Sequence, residues 1–167
     1  MPIQAPPKSS GSVDDHVSWP RGELRIKVND NVVYEQVTGY LEKDIVAKIT
    51  APIDRLIAVG NKPVIFNDWW ELTGYDSDAR LKLTDWIFWI RGKIIGSHIL
   101  VRSKIVSMGV SIANLALGGM LTVYTDRSEF TLAYHKAMRH SASVRPPPSP
   151  PSSPGESNDA RPPRSLR

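Results

Sequence analysis

Between about residues 23 and 138, strand-type and helix-type periodicity alternate along the chain, and this alternation limits the class of fold that the chain can adopt. Residues 23–28 alternate polar and apolar side chains strictly, which is typical of a half-buried strand. Asn29, Asp30 and Asn31 are turn formers, and residues 32–39 return as a second strand, so the two segments predict a hairpin. Further strands are predicted at 62–68, 97–101 and 120–124, and helices at 42–59, 76–92, 105–117 and 126–138. The order β-β-α-β-α-β-α-β-α predicts an α/β domain with a mainly parallel sheet, an antiparallel edge hairpin and flanking helices.

The two ends of the chain differ from this central part in composition. Residues 1–20 mix Pro, Ser, Gly and Asp without apolar periodicity and are interpreted as a flexible N-terminal segment, which leaves 21–139 as the domain. Residues 140–167 are rich in Pro and Ser and have too little apolar area to offset the entropy of ordering, which predicts a disordered tail with polyproline II character. Such a tail is either inert, a docking segment for a Pro-recognising domain, or a target for serine phosphorylation.

Composition limits where the protein is expected to work. Apolar residues make up 41% of the 167 residues, and no uninterrupted apolar run is long enough to span a bilayer. The first residues lack the apolar segment of a secretory signal, and cysteine is absent. We therefore expect a cytoplasmic protein without a transmembrane segment.

The sequence carries no recognisable catalytic or cofactor-binding pattern. The four histidines lie far apart, and no nucleophile elbow, glycine-rich phosphate loop or paired-carboxylate motif is present. The net charge of +4 is spread along the chain, whereas nucleic-acid-binding domains concentrate it in a stripe. These patterns predict a non-enzymatic binding protein with no cofactor, no metal and no nucleic-acid partner.

Tryptophan is concentrated in one part of the chain. Four of the five tryptophans fall within 21 consecutive residues, and the helix at 76–92 carries apolar residues over more than half of its circumference. One interpretation is core packing, which we assign to Trp86. The other is a surface for a protein partner or a homodimer, because tryptophan is enriched at binding hot spots. The predicted partner-binding surface consists of Trp69, Trp70, Tyr75, Asp76 and Trp89.

The order and spacing of the elements resemble the STAS domain family, and more closely its stand-alone SpoIIAA-like (STAS/SEC14) branch. Four features over residues 23–138 carry the resemblance. They are the hairpin that ends at residues 37–40, the buried strand 64–68, the Trp-bearing helix that contains residues 79–81, and the closing segment 124–126 before Glu129 and Phe130. The resemblance implies a regulatory or scaffold protein that binds a kinase or another signalling protein.

The resemblance also implies a candidate switch. Regulatory members of the family carry a phosphorylated Ser or Thr in an Asp-Ser-Ser-Gly pattern at a helix start. Asp76 and Ser77 match its first two positions, whereas Asp78 and Ala79 stand where the pattern has Ser and Gly. Ser77 and Thr73 are therefore the candidate phosphorylation sites, and the alternative is that Asp76 or Ser77 simply caps the helix.

The branch also allows a second function, namely carriage of a lipid or another small amphiphile. We expect the apolar cleft for such a ligand to be lined by four residues: Trp86, Trp89, Ile94 and Ile95.

Overall fold

The computed structural model describes residues 13–143, and side chains within residues 14–142. The strands are β1 (Val13–Trp19), β2 (Gly22–Asn29), β3 (Val32–Leu41), β4 (Val64–Trp69), β5 (Leu72–Tyr75), β6 (Gly96–Val101) and β7 (Leu121–Tyr124). A 3₁₀ turn (Lys43–Ile45) leads into helix α1 (Val46–Ala58), and α2 (Ser77–Ile90), α3 (Lys104–Ala116) and α4 (Arg127–Ser143) follow. The predicted tail beyond residue 143 lies outside the described residues.

All seven strands belong to one sheet. Its order is β1-β2-β3-β4-β6-β7, and β5 pairs with the far end of β3. Strands β1, β2 and β3 are antiparallel, whereas the pairs β3–β4, β3–β5, β4–β6 and β6–β7 are parallel. This arrangement confirms the predicted α/β class with an antiparallel edge and flanking helices.

The structure contains two strands that the sequence did not predict. Residues 13–19, assigned to the flexible N-terminal segment, form β1 and pair with β2 along its full length, so that part of the prediction is wrong. An edge strand needs few apolar contacts, and here Val17 and Trp19 supply them while the Trp19 indole N–H donates to the Tyr40 carbonyl at 2.9 Å. Strand β5 escapes periodicity analysis because it has only four residues, one of them glycine.

Helix α4 also extends past the predicted end of the domain. It continues to Ser143, so residues 140–143 are helical and not part of a disordered tail. The Ser141 hydroxyl donates to the Asn31 Oδ1 at 2.6 Å, which fixes this last turn to the β2–β3 hairpin. The composition of residues 140–143 alone gives no sign of that tertiary contact.

Three turns follow the predicted local chemistry. Asp30 adopts the left-handed backbone (φ 52°) that the hairpin turn requires. Gly118 and Gly119 have φ of 70° and 79° and end α3 as expected. Asp126 caps α4, because its Oδ1 accepts the backbone N–H groups of Ser128 at 2.7 Å and Glu129 at 3.1 Å.

The sheet has two unequal cores. Helices α1, α2 and α3 cover one face over the larger apolar cluster, which we call the main core and which includes Val33, Val37, Ile65, Ile90 and Val106. Helix α4 covers the other face over a smaller cluster, the α4 core, formed by Val32, Val64, Phe66, Leu100 and Phe130. Because side chains alternate along each strand, neighbouring residues of the central strands contribute to different cores.

Candidate functional site

The five residues of the predicted partner-binding surface do not form one surface. Trp69 and Trp70 follow each other at the end of β4 and point to opposite sides of the sheet, Trp69 against the main core and Trp70 against the α4 core. Tyr75 also packs against the main core, while Trp89 lies on α2 with 62% of its surface exposed. The expectation of one contiguous tryptophan surface is therefore wrong, since strand alternation separates its two central members.

Trp70 belongs to a charged cluster on the α4 side. The guanidinium groups of Arg102 and Arg127 lie 5.6 and 5.2 Å from the centroid of its ring. Its backbone N–H donates to the Asp68 Oδ1 at 3.1 Å. Trp70 is half-buried, so its contacts with these cations are partly shielded from water.

Trp69 and Tyr75 border a narrow apolar cavity of about 70 Å³ between the sheet, α2 and α3. Tyr75 lies directly over Gly109, where an added Cβ would come within 1.9 Å of the phenol oxygen. Within the described part of the chain the Trp69 indole N–H meets no hydrogen-bond acceptor. Because Gly109 has no side chain, Tyr75 of β5 can lie against α3 at this point, and α3 approaches β5 closely.

This cavity differs from the predicted amphiphile cleft. Of Trp86, Trp89, Ile94 and Ile95, only Trp86 lines it. Ile94 is buried in the main core, whereas Trp89 and Ile95 face outward. The expected lining is therefore wrong for three of the four residues, because Trp89 and Ile95 are exposed and Ile94 is buried in the main core without bordering the cavity.

Trp86 itself packs against the main core, as assigned. Its indole N–H donates to the Asp54 Oδ1 at 2.9 Å, which ties α2 to α1.

The start of α2 is held against the sheet by backbone contacts. The Asp76 N–H donates to the Leu41 carbonyl at 2.9 Å, and its Oδ2 accepts the N–H of Lys43 at 3.0 Å. Asp76 occupies the N-cap position, yet its carboxylate makes no capping hydrogen bond to α2, and Ser77 already lies inside the helix. The simple capping role considered for Asp76 or Ser77 is therefore not what the structure shows.

The two candidate phosphorylation sites differ in their surroundings. Ser77 is exposed in the first turn of α2. Thr73 is also exposed, but its hydroxyl donates to the Gly39 carbonyl at 2.8 Å and so supports the junction of β5 with β3. The Ser77 hydroxyl is the more accessible of the two.

Beyond Ser77, the outer face of α2 carries two exposed apolar side chains two turns apart, with the half-buried Thr84 between them and the Arg91 guanidinium 3.8 Å from the centroid of the second, Phe88. Leu81 and Phe88 are exposed and lie within about 40° of Ser77 around the helix axis. The buried residues Ala79 and Ile90 lie on the opposite side. We call Ser77, Leu81 and Phe88 the α2 stripe.

Two carboxylates are fully buried near the centre of the sheet, and neither was identified from the sequence. Asp68 accepts hydrogen bonds from the Tyr34 hydroxyl at 2.7 Å and from Arg127 at 3.0 and 3.4 Å, besides that from Trp70. Glu35 lies in β3 on the side of the main core, and neither of its oxygens has a hydrogen-bond partner among the described residues. Desolvation raises the pKa of Glu35 to about 8.

The sheet also contains a half-buried histidine, His98 of β6. The His98 ring stacks on Phe66 with centroids 4.5 Å apart, and its Nδ1 lies 3.0 Å from the Tyr124 hydroxyl. Burial lowers the pKa of His98 below its ordinary value. Residues 13–143 contain no group of three or more His, Asp or Glu side chains placed to hold a metal ion.

Comparison with known proteins places this arrangement in a recognised fold. An anti-sigma factor antagonist from Mycobacterium paratuberculosis is similar in structure, with a TM-score of 0.53 and 17% identity over 71% of this chain and 99% of that one. A DUF3478-family protein with a SpoIIAA-like fold from Shewanella loihica PV-4 gives a TM-score of 0.51 and 13% identity over 75% of this chain and 98% of that one. No protein-family model matches the sequence, and no curated protein matches it.

These likenesses confirm the predicted SpoIIAA-like fold. In addition, none of the helices in the described residues is long and apolar enough to cross a membrane.

Proposed function

We propose that this chain is a non-enzymatic regulatory or scaffold protein of the cytoplasm that binds a protein partner through the α2 stripe. The observation that carries the proposal is the position of an exposed hydroxyl, Ser77, at one end of an exposed apolar stripe formed by Leu81 and Phe88. Helices commonly bind protein partners by placing an exposed apolar face in a hydrophobic groove of the partner. The fold shared with an anti-sigma factor antagonist supports a regulatory role for such binding.

We further propose that phosphorylation of Ser77 reverses the binding. A phosphate adds about −1.5 to −2 charge, and at the first turn of a helix it is stabilised by free backbone N–H groups and the helix dipole. The same charge would have to be desolvated when the adjacent stripe docks, so the phosphorylated form should bind more weakly. Thr73 is the secondary candidate, since its modification would cost the hydrogen bond to Gly39. A kinase and the regulated signalling protein are the partners that this scheme requires.

The apolar cavity beneath α2 and α3 is too small to hold an amphiphile in this conformation. Pockets for drug-sized ligands typically measure about 300–1,000 Å³. The cavity beneath α2 and α3 measures about 70 Å³, so an acyl chain could enter only if α2 moved. Protein binding needs no such displacement.

The test compares variants of the full chain as bait in a lysate of its native host. The double variant Leu81→Ala/Phe88→Ala removes the apolar part of the stripe. As a control, Leu132→Ala removes an apolar side chain of α4 that is more exposed, at 67% against 49% for Leu81 and for Phe88. We expect a protein that is retained by wild type and by Leu132→Ala to bind the double variant at least about tenfold more weakly. If all three capture the same proteins with equal affinity, α2 is not the binding face.

Two further measurements separate the finer claims. Ser77→Asp should weaken binding of that protein and Ser77→Ala should not, while equal affinities would exclude the phosphate switch but leave the binding face intact. Mass spectrometry of organic extracts of the purified chain tests the alternative function, carriage of a lipid or another amphiphile. A lipid bound in stoichiometric amount would favour that function.

A further inference from the structure

Helix α3 exposes a second apolar stripe, distinct from the α2 stripe. Its members recur at intervals of three, four and three residues, which places them on one side of the helix. Their exposed fractions are 61% for Ile105, 63% for Met108, 54% for Ile112 and 84% for Leu115. We call these four residues the α3 stripe. Its exposed flanks consist of Ser111, Ala116 and Lys104, so the stripe carries a single charge, at its N-terminal end.

The stripe is self-complementary when two copies of α3 run antiparallel. With the twofold axis at residue 110, Ile105 faces Leu115 of the second copy and Met108 faces Ile112 of the second copy. The same pairs then recur on the other side of the axis. A single register therefore matches all four side chains, which is the property of an isologous interface.

The one charge on this face also fits the antiparallel arrangement. Lys104 is the first residue of α3, where the positive end of its own helix dipole disfavours a cation. The last turn of α3 contains no basic residue that would offset the negative end of the dipole. In the antiparallel register Lys104 lies beside Ala116 of the second copy, so each ammonium group meets the end of the partner helix that attracts it.

We propose that this chain forms a twofold homodimer through antiparallel pairing of α3 with α3. The occupant of the stripe is a second copy because both the side-chain pairs and the charges match in one register. Four large side chains per copy form a contact at the small end of protein interfaces, roughly 1,000 Å² in total. We accordingly expect a dissociation constant on the order of 1–100 µM.

The first experiment is sedimentation equilibrium of the full chain over about a hundredfold range of concentration across the micromolar region. Wild type should show a monomer–dimer equilibrium. Met108→Glu and Ile112→Lys should each raise the dissociation constant at least about tenfold, because each buries an unpaired charge in the contact. Leu132→Glu on α4 is the matched control and should dimerise like wild type.

The register can be tested by mixing the two charged variants. In the antiparallel register Glu at position 108 faces Lys at position 112 of the other variant, so the equimolar mixture should recover dimers that neither variant forms alone. A parallel pairing would place position 108 against position 108 and would give no recovery. All of these side chains are exposed in the single chain, so unchanged thermal unfolding is expected and should be checked first.

The absence of cysteine from the sequence permits an independent mapping. A mixture of Ile105→Cys and Leu115→Cys should form a disulfide-linked heterodimer on mild oxidation, because the two positions face each other across the axis. Ile105→Cys alone should cross-link poorly, since its copies lie far apart along the paired helices. Efficient cross-linking of Ile105→Cys alone, or a wild-type chain that stays monomeric up to several hundred micromolar, would overturn the proposal. These results do not depend on the α2 stripe, so failure here is distinguishable from failure of the proposed partner binding.

Discussion

The two buried carboxylates, Asp68 and Glu35, lie on opposite faces of one sheet and differ in their hydrogen-bond partners. Asp68, on the α4 side, accepts hydrogen bonds from a phenol, a guanidinium group and a backbone amide. Glu35 lies one strand away on the side of the main core, between Val33 and Val37, and within the described residues it has no hydrogen-bond partner at all. Both side chains are almost fully inaccessible to water.

Burial of a carboxyl group therefore has different consequences on the two faces, depending on the donors around it. Around Asp68 the donors replace water, and the charge of Arg127 offsets that of the carboxylate. Around Glu35 only desolvation acts, and it raises the pKa to about 8. At neutral pH, which lies below this raised pKa, the Glu35 carboxyl of the folded chain is therefore mainly protonated.

The largest expected effect is a loss of stability with rising pH that is due to Glu35. Below about pH 4.5 the carboxyl is protonated in the folded and the unfolded chain alike. Between that value and pH 8 only the unfolded chain releases the proton, so the free energy of unfolding falls, and above pH 8 this contribution is constant. The total is on the order of 4–5 kcal/mol.

The Glu35→Gln variant isolates this contribution, because Gln resembles protonated Glu in shape and does not ionise. Urea unfolding at several pH values should show the variant gaining stability relative to wild type from pH 4.5 to 8. A difference between the two proteins that does not change with pH would mean that Glu35 keeps a charge-stabilising environment in the folded chain.

A smaller effect is expected on the other face, from Asp68→Asn. The amide retains one acceptor but turns donors towards Tyr34 or Arg127, and the charge pairing is lost. Arg127 is half-exposed and can regain water, so we expect a loss of about 2–3 kcal/mol. Tyr34→Phe, which removes one donor, should cost about 1 kcal/mol and serves as the comparison. Equal losses for the two variants in urea unfolding at pH 7 would show that the ion pair adds nothing beyond the phenol hydrogen bond.

The smallest expected effect concerns His98 and has the opposite sign to that of Glu35. Burial lowers the pKa of His98, so the unfolded chain takes up a proton below about pH 6.5 that the folded chain resists. Stability should therefore be lost as the pH falls below 6.5. The ring is only half-buried, which limits the effect. His98→Gln should lose stability less steeply than wild type between pH 6.5 and 5, and parallel curves would contradict the assignment.

The regular part of the fold follows from the sequence because its elements are periodic. Strands β2, β3, β4, β6 and β7 and all four α-helices were predicted close to their observed positions. Strand β1 was missed because Asp15 stands where alternation requires an apolar side chain, and its pairing with β2 supplies what composition does not show. Strand β5 was missed because Gly74 interrupts a segment of four residues.

Fewer features of the candidate site than of the fold could be predicted from the sequence. The predicted strand ended at residue 68, so the sequence did not indicate that Trp69 would end β4 against the main core while Trp70 packs on the α4 side. The network at Asp68 could not be predicted, because Arg127 is 59 residues away and only the sheet order brings the two together. The isolation of Glu35 in the main core likewise depends on which helices cover β3.

Strand β3 is long enough to pair with two strands along the same edge. It pairs with β4 along residues 32–36 and with β5 along residues 39–41, and the register shifts between Gly39 and Tyr40. The chain from β5 into α2 pairs with the sheet at three positions and is held further by the Thr73 hydrogen bond to Gly39 and by the contacts of Asp76. In hydrogen-exchange terms, we expect the amides of β5 and of the first turn of α2 to exchange sooner than those of β3 and β4, because fewer ladder hydrogen bonds hold them. Ser77, which is exposed in the closed domain, therefore lies in the segment that we expect to open first, without unfolding of the rest of the domain.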